Sequence, residues 1–326
     1  MNRREFLGIT GSLALLPLTA HAQKSPASIG LLASGVATSL YTRNLVQAIR
    51  QGLLYSGLVE GRDYSLQFRY AEGRYERFPA LAQELAQTGV TIILAHTIAS
   101  VRAAQKLNPP VSVIMLSIND PVGARLVASL SKPSGNTTGL ANMEEDLTTK
   151  ILEFQRIIVP TAKTVAALIN PGNPTHSYFL EKLGAQSHAL GLKVVSAELK
   201  APEALDDVFT ELAAQRPDTI QIMSDAGIFD LSDRIATLAQ IHRIPSFATA
   251  PEYVVAGGLL AYGASRRRLF IRSGYYIKRI LAGSLPADLP IEQPTRVELS
   301  INIKTAKALN LAVPATLLAQ ADEVIE

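Results

Sequence analysis

Residues 28–250 pass twice through one order of apolar strands and amphipathic helices. In the first pass SIGLLAS (28–34) leads into a helical pattern, then YSLQFRY (64–70), a second helical pattern, VTIILA (90–95), a third, and PPVSVIML (109–116). The second pass reads TVAALIN (164–170), helix, GLKVVSAEL (191–199), helix, DTIQIM (218–223), helix and IPSF (244–247). Matching landmarks are Ile29 and Val165, Leu58 and Leu192, Val90 and Thr219, and Val111 and Pro245. Continuous apolar runs suit parallel strands covered on both faces. Strands alternating with helices over short connections imply doubly wound sheets. Two successive units of equal size imply an α/β protein of two doubly wound parallel-sheet lobes, with a cleft between them where a small molecule would bind.

Between the strands, apolar residues recur at helical spacing. Leu45, Val46, Ile49, Leu53 and Leu54 form one stripe; Phe78, Leu81, Ala82 and Leu85 form another. Pro79 falls in a first helical turn, where its missing N–H costs nothing. In the second half the stripes are Phe179, Leu183 and Leu190, then Leu205, Val208, Phe209 and Leu212, then Ile228, Leu231, Ile235, Leu238 and Ile241 as one helix. Gly57 and Gly191 are placed to end helices in the left-handed conformation. The polar run SKPSGNTTGLANMEED (131–146) reads as the first crossover between lobes. AGGLLAYGAS (256–265) adds a strand and Leu269–Ala282 a long helix. Gly283, Pro286, Pro290 and Pro294 break the tail into turns, and VELSINI (297–303) alternates like a half-exposed strand. The expected division is therefore 1–22 as a leader, 23–143 with about 262–290 as lobe I, and 144–261 with about 291–326 as lobe II. Several crossovers would make a multi-strand hinge that bends while each lobe stays rigid.

Residues 1–22 read as an export signal: Arg3 and Arg4 precede the short apolar run GITGSLALLPLTA, and Ala20-His21-Ala22 supplies small residues around a cleavage site. NRREFL (2–7) resembles the twin-arginine pattern; an ordinary secretory signal that happens to hold two arginines is the alternative. Cleavage after about Ala22 would place the mature chain in the periplasm. The net charge of +3 is small and its basic residues are dispersed, which argues against a nucleic-acid partner. The local run Arg266-Arg267-Arg268 reads as a solvated helix start. Without cysteine, disulfides, thiolate nucleophiles, Cys-rich zinc sites and an acylated N-terminal cysteine are excluded. The five histidines (21, 96, 176, 188, 242) show no metal-ligand spacing. No G-x-S-x-G elbow, phosphate loop or G-x-G-x-x-G is present. No metal, cofactor or catalytic role is expected.

At the C-terminal ends of parallel strands, side chains face the cleft. That rule nominates Ser34, His96, Thr97, Ser117 and Asn119 in the first lobe. In the second it nominates Asn170, Asn173, Ser224, Asp225, Thr249 and Glu252. A ligand carboxylate fits at Thr97–Ser100, where hydroxyls and the free N–H groups of a helix start could share it; plain N-capping by Thr97 and Ser100 is the alternative. Asp120, Asp225 and Glu252 are candidate partners for a ligand ammonium, although Asp120 could instead only start the helix that Pro121 opens. Asn142, just after the expected crossover, could reach either lobe. Tyr41, Tyr253 and Tyr262 are either cleft-side rings for a flat ligand or core residues. His96 reads as a cleft wall rather than a general base.

Several strings resemble the ABC-transporter substrate-binding family typified by tryptophan- and tyrosine-type binding proteins: GLVEGRDYSLQFRYAEGRYERFPALAQELA (57–86), DPVGARLVASLSKPSGNTTGL (120–140), INPGNP (169–174), EYVVAGGLLAYG (252–263) and, most specifically, the tail PIEQPTRVELSINIKTAKALNLAVPATLLAQADEVIE (290–326). The likeness spans nearly the whole mature chain. It departs from the family pattern at His96, at Ile98 within Thr97-Ile98-Ala99, and at Asn119 before Asp120. The resemblance implies the type I periplasmic-binding fold, a monomeric receptor for an amino acid or aromatic carboxylate, and permease and ATPase partners. A sensor module of the same fold, feeding a membrane signalling protein, is the alternative. A two-lobed repressor is not expected, because no DNA-reading helical domain is legible and residues 1–22 read as an export signal.

Overall fold

The structure is a computed structural model that describes residues 25–326; the expected export signal at 1–22 lies outside the described residues. The first half contains β1 (Ala27–Ala33), α1 (Leu40–Tyr55), β2 (Tyr64–Tyr70), α2 (Phe78–Gln87), β3 (Ile92–Ala95), α3 (Ile98–Gln105), β4 (Ser112–Asn119) and β5 (Thr137–Asn142). The second contains α4 (Glu144–Ile158), β6 (Thr164–Ile169), α5 (His176–Ala189), β7 (Lys193–Glu198), α6 (Leu205–Gln215), β8 (Thr219–Ile222), α7 (Ala226–Phe229), α8 (Ser232–Ile241), β9 (Ser246–Ala248), α9 (Glu252–Val255) and β10 (Leu260–Gly263). The tail adds α10 (Arg266–Leu281), β11 (Glu298–Asn302), α11 (Ile303–Ala308), α12 (Ala315–Leu318) and β12 (Glu323–Ile325).

The duplication read from sequence is a duplication of topology. One sheet has the order β2-β1-β3-β4-β5, all parallel. The other begins β7-β6-β8-β9-β10, also parallel, and continues through antiparallel β11 to β12. Ile29 lies opposite Ile92 and Val165 opposite Thr219, so Ile92, not Val90, is the partner landmark of Thr219. The apolar run simply begins before the ladder does.

Both faces of the first sheet are covered, as continuous apolar strands require. Leu32, Ile93 and Val113 pack with Phe78 and Leu85 of α2 and Val101 of α3. On the opposite face, Leu31 and Leu94 pack with Leu45 and Ile49 of α1 and with Phe270 and Ile277 of α10. Helix α10 therefore follows a strand of the second sheet but serves the core of the first. Glu292 then bridges to Leu140, and the chain returns to pair β11 with β10. Connections at β5–α4, β10–α10 and from Glu292 into β11 thus link the two sheets.

Two local expectations change. The polar run 131–146 does not all cross over, because TTGLAN forms β5. Thr137 and Thr138 are buried there with their hydroxyls paired, Thr138 to the Leu289 carbonyl and Thr137 to Gln105 and Asn136. Asn142 accordingly ends the first sheet, ahead of the crossover. The stripe 228–241 is two helices, α7 and α8, broken at Asp230–Leu231. The break leaves Ile241 exposed and turns Asp230 toward α1. Gly57 and Gly191 do carry positive φ, 81° and 70°, just after α1 and α5. Among the described residues no helix is long and apolar enough to cross a membrane.

Candidate functional site

The C-terminal ends of the two sheets face each other across a narrow cavity, the place where α/β sheets present ligand-binding side chains. It is lined by His96, Thr97, Ser117, Asn119, Asn142, Asn173, Ser224 and Asp225 from the nominated set. Tyr41, Leu116, Ile118 and two residues the strand-end rule missed, Tyr75 and Arg266, complete the principal walls.

Helix α3 supplies one pole. Thr97 Oγ1 accepts from the Ser100 N–H at 2.9 Å, and the Thr97 N–H donates to Ser100 Oγ at 3.1 Å, a reciprocal capping box. This leaves the first two helical amides, Ile98 and Ala99, without an intrahelical acceptor where both residues line the cavity. Ser100 is consumed by the cap and does not line the cavity.

Arg266 corrects the expectation of a solvated helix start. It is 4% exposed, because α10 docks its first turn between the sheets. Its Nη2 donates to Glu144 Oε1 at 2.8 Å and to Ser224 Oγ at 2.6 Å, and the guanidinium lies 3.9 Å from the Phe229 ring centroid. Arg266 Nε and Glu144 Oε2 remain unpaired and buried. The neighbouring Arg267 and Arg268 are exposed, as a helix start should be.

Asp225 is the opposite pole. It caps α7 through the Ile228 N–H at 3.1 Å. Tyr75 donates to its Oδ1 at 2.9 Å, Asn170 to the same oxygen at 3.2 Å, and Asn173 to Oδ2 at 3.0 Å. Burial and the nearby Asp225 push the Tyr75 phenol well above its ordinary range, so it stays a donor. Tyr75 was not legible as a site residue because it reaches the cleft only through a turn. Glu72 and Gly73 adopt φ of 56° and 78° there.

His96 has a defined tautomer. The Ser34 backbone N–H donates to Nε2 at 3.0 Å, so the neutral ring carries its proton on Nδ1, which is buried without a partner. Burial and Arg266 hold the imidazole down to about 4. His96 thus offers one N–H donor near neutrality and stacks against Tyr41, centroids 6.1 Å apart. Folding stability carried by this group should be complete above pH 6.5 and be lost as pH falls toward 4, because the unfolded chain binds the proton more tightly. The full effect is about 3 kcal/mol. Asp230, raised to about 6 by burial, acts in the opposite direction, so the test is a difference. Urea denaturation of the wild type and His96→Gln from pH 7 to 4 should show wild-type stability falling more steeply; parallel curves would refute the assignment.

At the end of β4 the ladder slips between Met115 and Ile118, and Ser117 takes φ of 59°. Such irregularities re-aim side chains at functional sites. Asn142 Nδ2 holds the bulge through the Ser117 carbonyl at 2.9 Å, leaving Asn142 Oδ1 and both polar atoms of Asn119 buried without partners. Unpaired buried polar groups are costly, and here they line one cavity.

Other nominated residues fall elsewhere. Ser34 binds His96 and Asp230. Asp120 accepts from the Gly123 N–H in a run of turns, and no helix follows Pro121. Asn170 supports Asp225 and accepts from the Gly172 N–H. Glu252 accepts from Ser265 Oγ and the Arg267 N–H in a separate crevice behind Arg266. Tyr262 packs edge-on against Phe154, and Tyr253 is fully buried in the second core.

Residues 38–325 match the model of a family described as ABC transporter substrate binding protein. The chain belongs to that family. This substrate-binding protein is 24% identical over 256 residues to the tyrosine-binding protein of Clostridioides difficile (strain R20291), covering 78% of this chain and 73% of that one. Its fold resembles an ABC domain in complex with L-Trp from Streptococcus pneumoniae, with TM-score 0.82 at 24% identity, over 92% of this chain and 100% of the other. A ligand-free, open substrate-binding protein with adhesive properties from Clostridium difficile gives a TM-score of 0.60 at 21% identity, over 92% and 99%. The type I periplasmic-binding fold expected from the sequence is thereby borne out.

Proposed function

We propose that this substrate-binding protein is the extracytoplasmic receptor of an ABC importer and captures, unchanged, an amino acid or related aromatic carboxylate between two closing lobes. The observation that carries this reading is the cavity's two poles. The free amides of α3 and the Arg266 guanidinium suit a carboxylate, and the Asp225 carboxylate suits an ammonium. Tyr41, Tyr75, Leu116 and Ile118 line the space between with apolar surface for a flat side chain. The α3 amides belong to the first lobe and Asp225 to the second, so a zwitterion that spans them gains its highest affinity when the walls approach, which is the differential affinity that closure requires. Closure is further supported by the fold likeness, greater to the L-Trp complex than to the open, ligand-free protein at equal coverage of this chain.

A thermal-shift series tests the poles. L-tryptophan, L-tyrosine, their decarboxylated amines and their deaminated acids would be added to the mature chain. A ligand at 100 times its Kd adds about 2.7 kcal/mol, so a binder is easily seen. At least one intact amino acid should stabilise more than either truncated analogue; a series in which every carboxylate-bearing compound left the melting point unchanged would remove the reading. Small-angle scattering should show compaction on saturation with the binder, and identical profiles would count against closure. Export is tested by N-terminal sequencing of the secreted product, which should begin at Gln23.

A further inference from the structure

Resting on the closure reading, we infer that Asp230 and Gly35 form a latch that sets how readily the cleft closes without contributing to its lining. Asp230 sits at the break between α7 and α8 in the second lobe, and among the described residues the side chains bonded to its carboxylate all lie across the seam. Oδ2 accepts from Ser34 Oγ at 2.8 Å, and Oδ1 accepts from Ser39 Oγ at 2.8 Å and Thr42 Oγ1 at 3.0 Å. All three hydroxyls belong to the end of β1 and the start of α1 in the first lobe. Gly35 lies between them: a Cβ there would overlap the Asp230 carboxylate. Gly35 does not have positive φ, so its own backbone does not demand glycine. What disfavours a larger residue is the Asp230 carboxylate of the opposing lobe, which can swing aside only by giving up its three hydroxyl bonds across the seam. Gly73, at the far side of the cleft, is likewise too close to Pro202 of the second lobe to carry a Cβ. The seam is thus shaped for contact along both edges.

Closing takes the Asp230 carboxylate from water onto three neutral hydroxyls, with no cation bonded to it among the described residues. Burial raises its proton affinity accordingly, to about 6, and Asp225 adds to the effect. The other titratable groups around the seam are Tyr41 and Tyr75, His96 behind Ser34, and Asp233, Glu252, Arg266 and Arg267 beside the rear crevice. A group whose proton affinity is higher in the closed form favours closure below its open-state value, and that contribution is lost as pH rises through about 6. His96 works in the opposite sense, so the Asp230 contribution is read against a variant that retains His96.

The chain has no cysteine, so a single pair can be introduced cleanly. Arg74 and Glu203 face each other across the seam at 3.8 Å and are exposed. In an Arg74→Cys/Glu203→Cys background, the rate of capture by a short bis-maleimide, to each end of which one cysteine thiol adds, reads the closed population even when it is minor, with no ligand needed. Gly35→Val should slow capture about tenfold or more while leaving the melting point near that of the background. Asp230→Asn should speed capture at pH 7.5, and the ratio of its rate to that of Asp230 should fall about tenfold between pH 7.5 and 5. Unchanged capture in Gly35→Val, or a ratio flat with pH, overturns the latch while leaving closure standing. If the background itself is captured no faster than a pair of cysteines on outward faces, closure fails and the latch with it.

Discussion

Arg266→Ala should lower the stability of this protein by about 3–5 kcal/mol and abolish binding of any carboxylate ligand at working concentrations. The side chain is 4% exposed and its partner Glu144 is equally buried. A buried pair adds little net stability, since both charges lose their hydration, but removing one partner leaves the other uncompensated. The melting point should fall on the order of 10 °C for a chain of this size. Ser224 Oγ loses its donor and Phe229 its stacked cation, which adds to the loss. Binding separates from folding in the double variant Arg266→Met/Glu144→Leu. Replacing both charges by apolar groups of similar volume should restore stability to within about 1–2 kcal/mol. Affinity should stay down by about 10–100-fold, the worth of a hydrogen-bonded charge. Calorimetric denaturation gives the first number and titration with the binder from the thermal-shift series the second. A double variant that bound normally would remove Arg266 from the carboxylate pole.

A second large effect concerns the helix that carries Arg266. Helices α1 and α10 cross at Gly52 and Gly274, and a Cβ on either would overlap the other helix's backbone: Ile271 for Gly52, and Gly52 and Leu53 for Gly274. Backbone in a packed helix pair cannot give way as a side-chain tip can. Gly274→Ala should therefore destabilise by about 3 kcal/mol, the upper part of the range for overpacking. Gly184, inside α5, has nothing near its would-be Cβ. Gly184→Ala should stabilise by up to about 1 kcal/mol through helix propensity alone. Urea denaturation of the two variants should thus move in opposite directions, and a neutral Gly274→Ala would mean that the helices do not meet at these glycines. Any shift of α10 also displaces its first turn, so partial Gly274 variants should bind ligand less well than their stability alone would imply.

Much of the site was legible because a strand's end faces the cleft whatever follows it. His96, Thr97, Ser117, Asn119, Asn173, Ser224 and Asp225 were nominated on that ground and the structure brings them around one cavity; Asn142, expected after a crossover, joins them as the end of β5. The rule failed where chain direction after the strand decides. Asp120 turns away at φ of 34° to cap a turn, and Glu252 faces the crevice behind Arg266. Arg266 shows the reverse error. Three adjacent arginines look like solvent-facing charge, and two of them are; the third is drawn inside by a glutamate 122 positions earlier in the chain.

The sequence by itself determined the duplicated architecture. Period-2 and period-3.6 patterns, apolar strand runs and glycine stops are local properties, and repeating them in the same order repeats the strand order of both sheets. Only the tertiary structure decided which polar residues meet. The Arg266–Glu144 pair, the Tyr75–Asp225 bond and the Asp230 seam join segments far apart in the chain, brought together by how the sheets face each other. A long-range polar contact depends on distance and burial, and neither has a periodic trace along the chain.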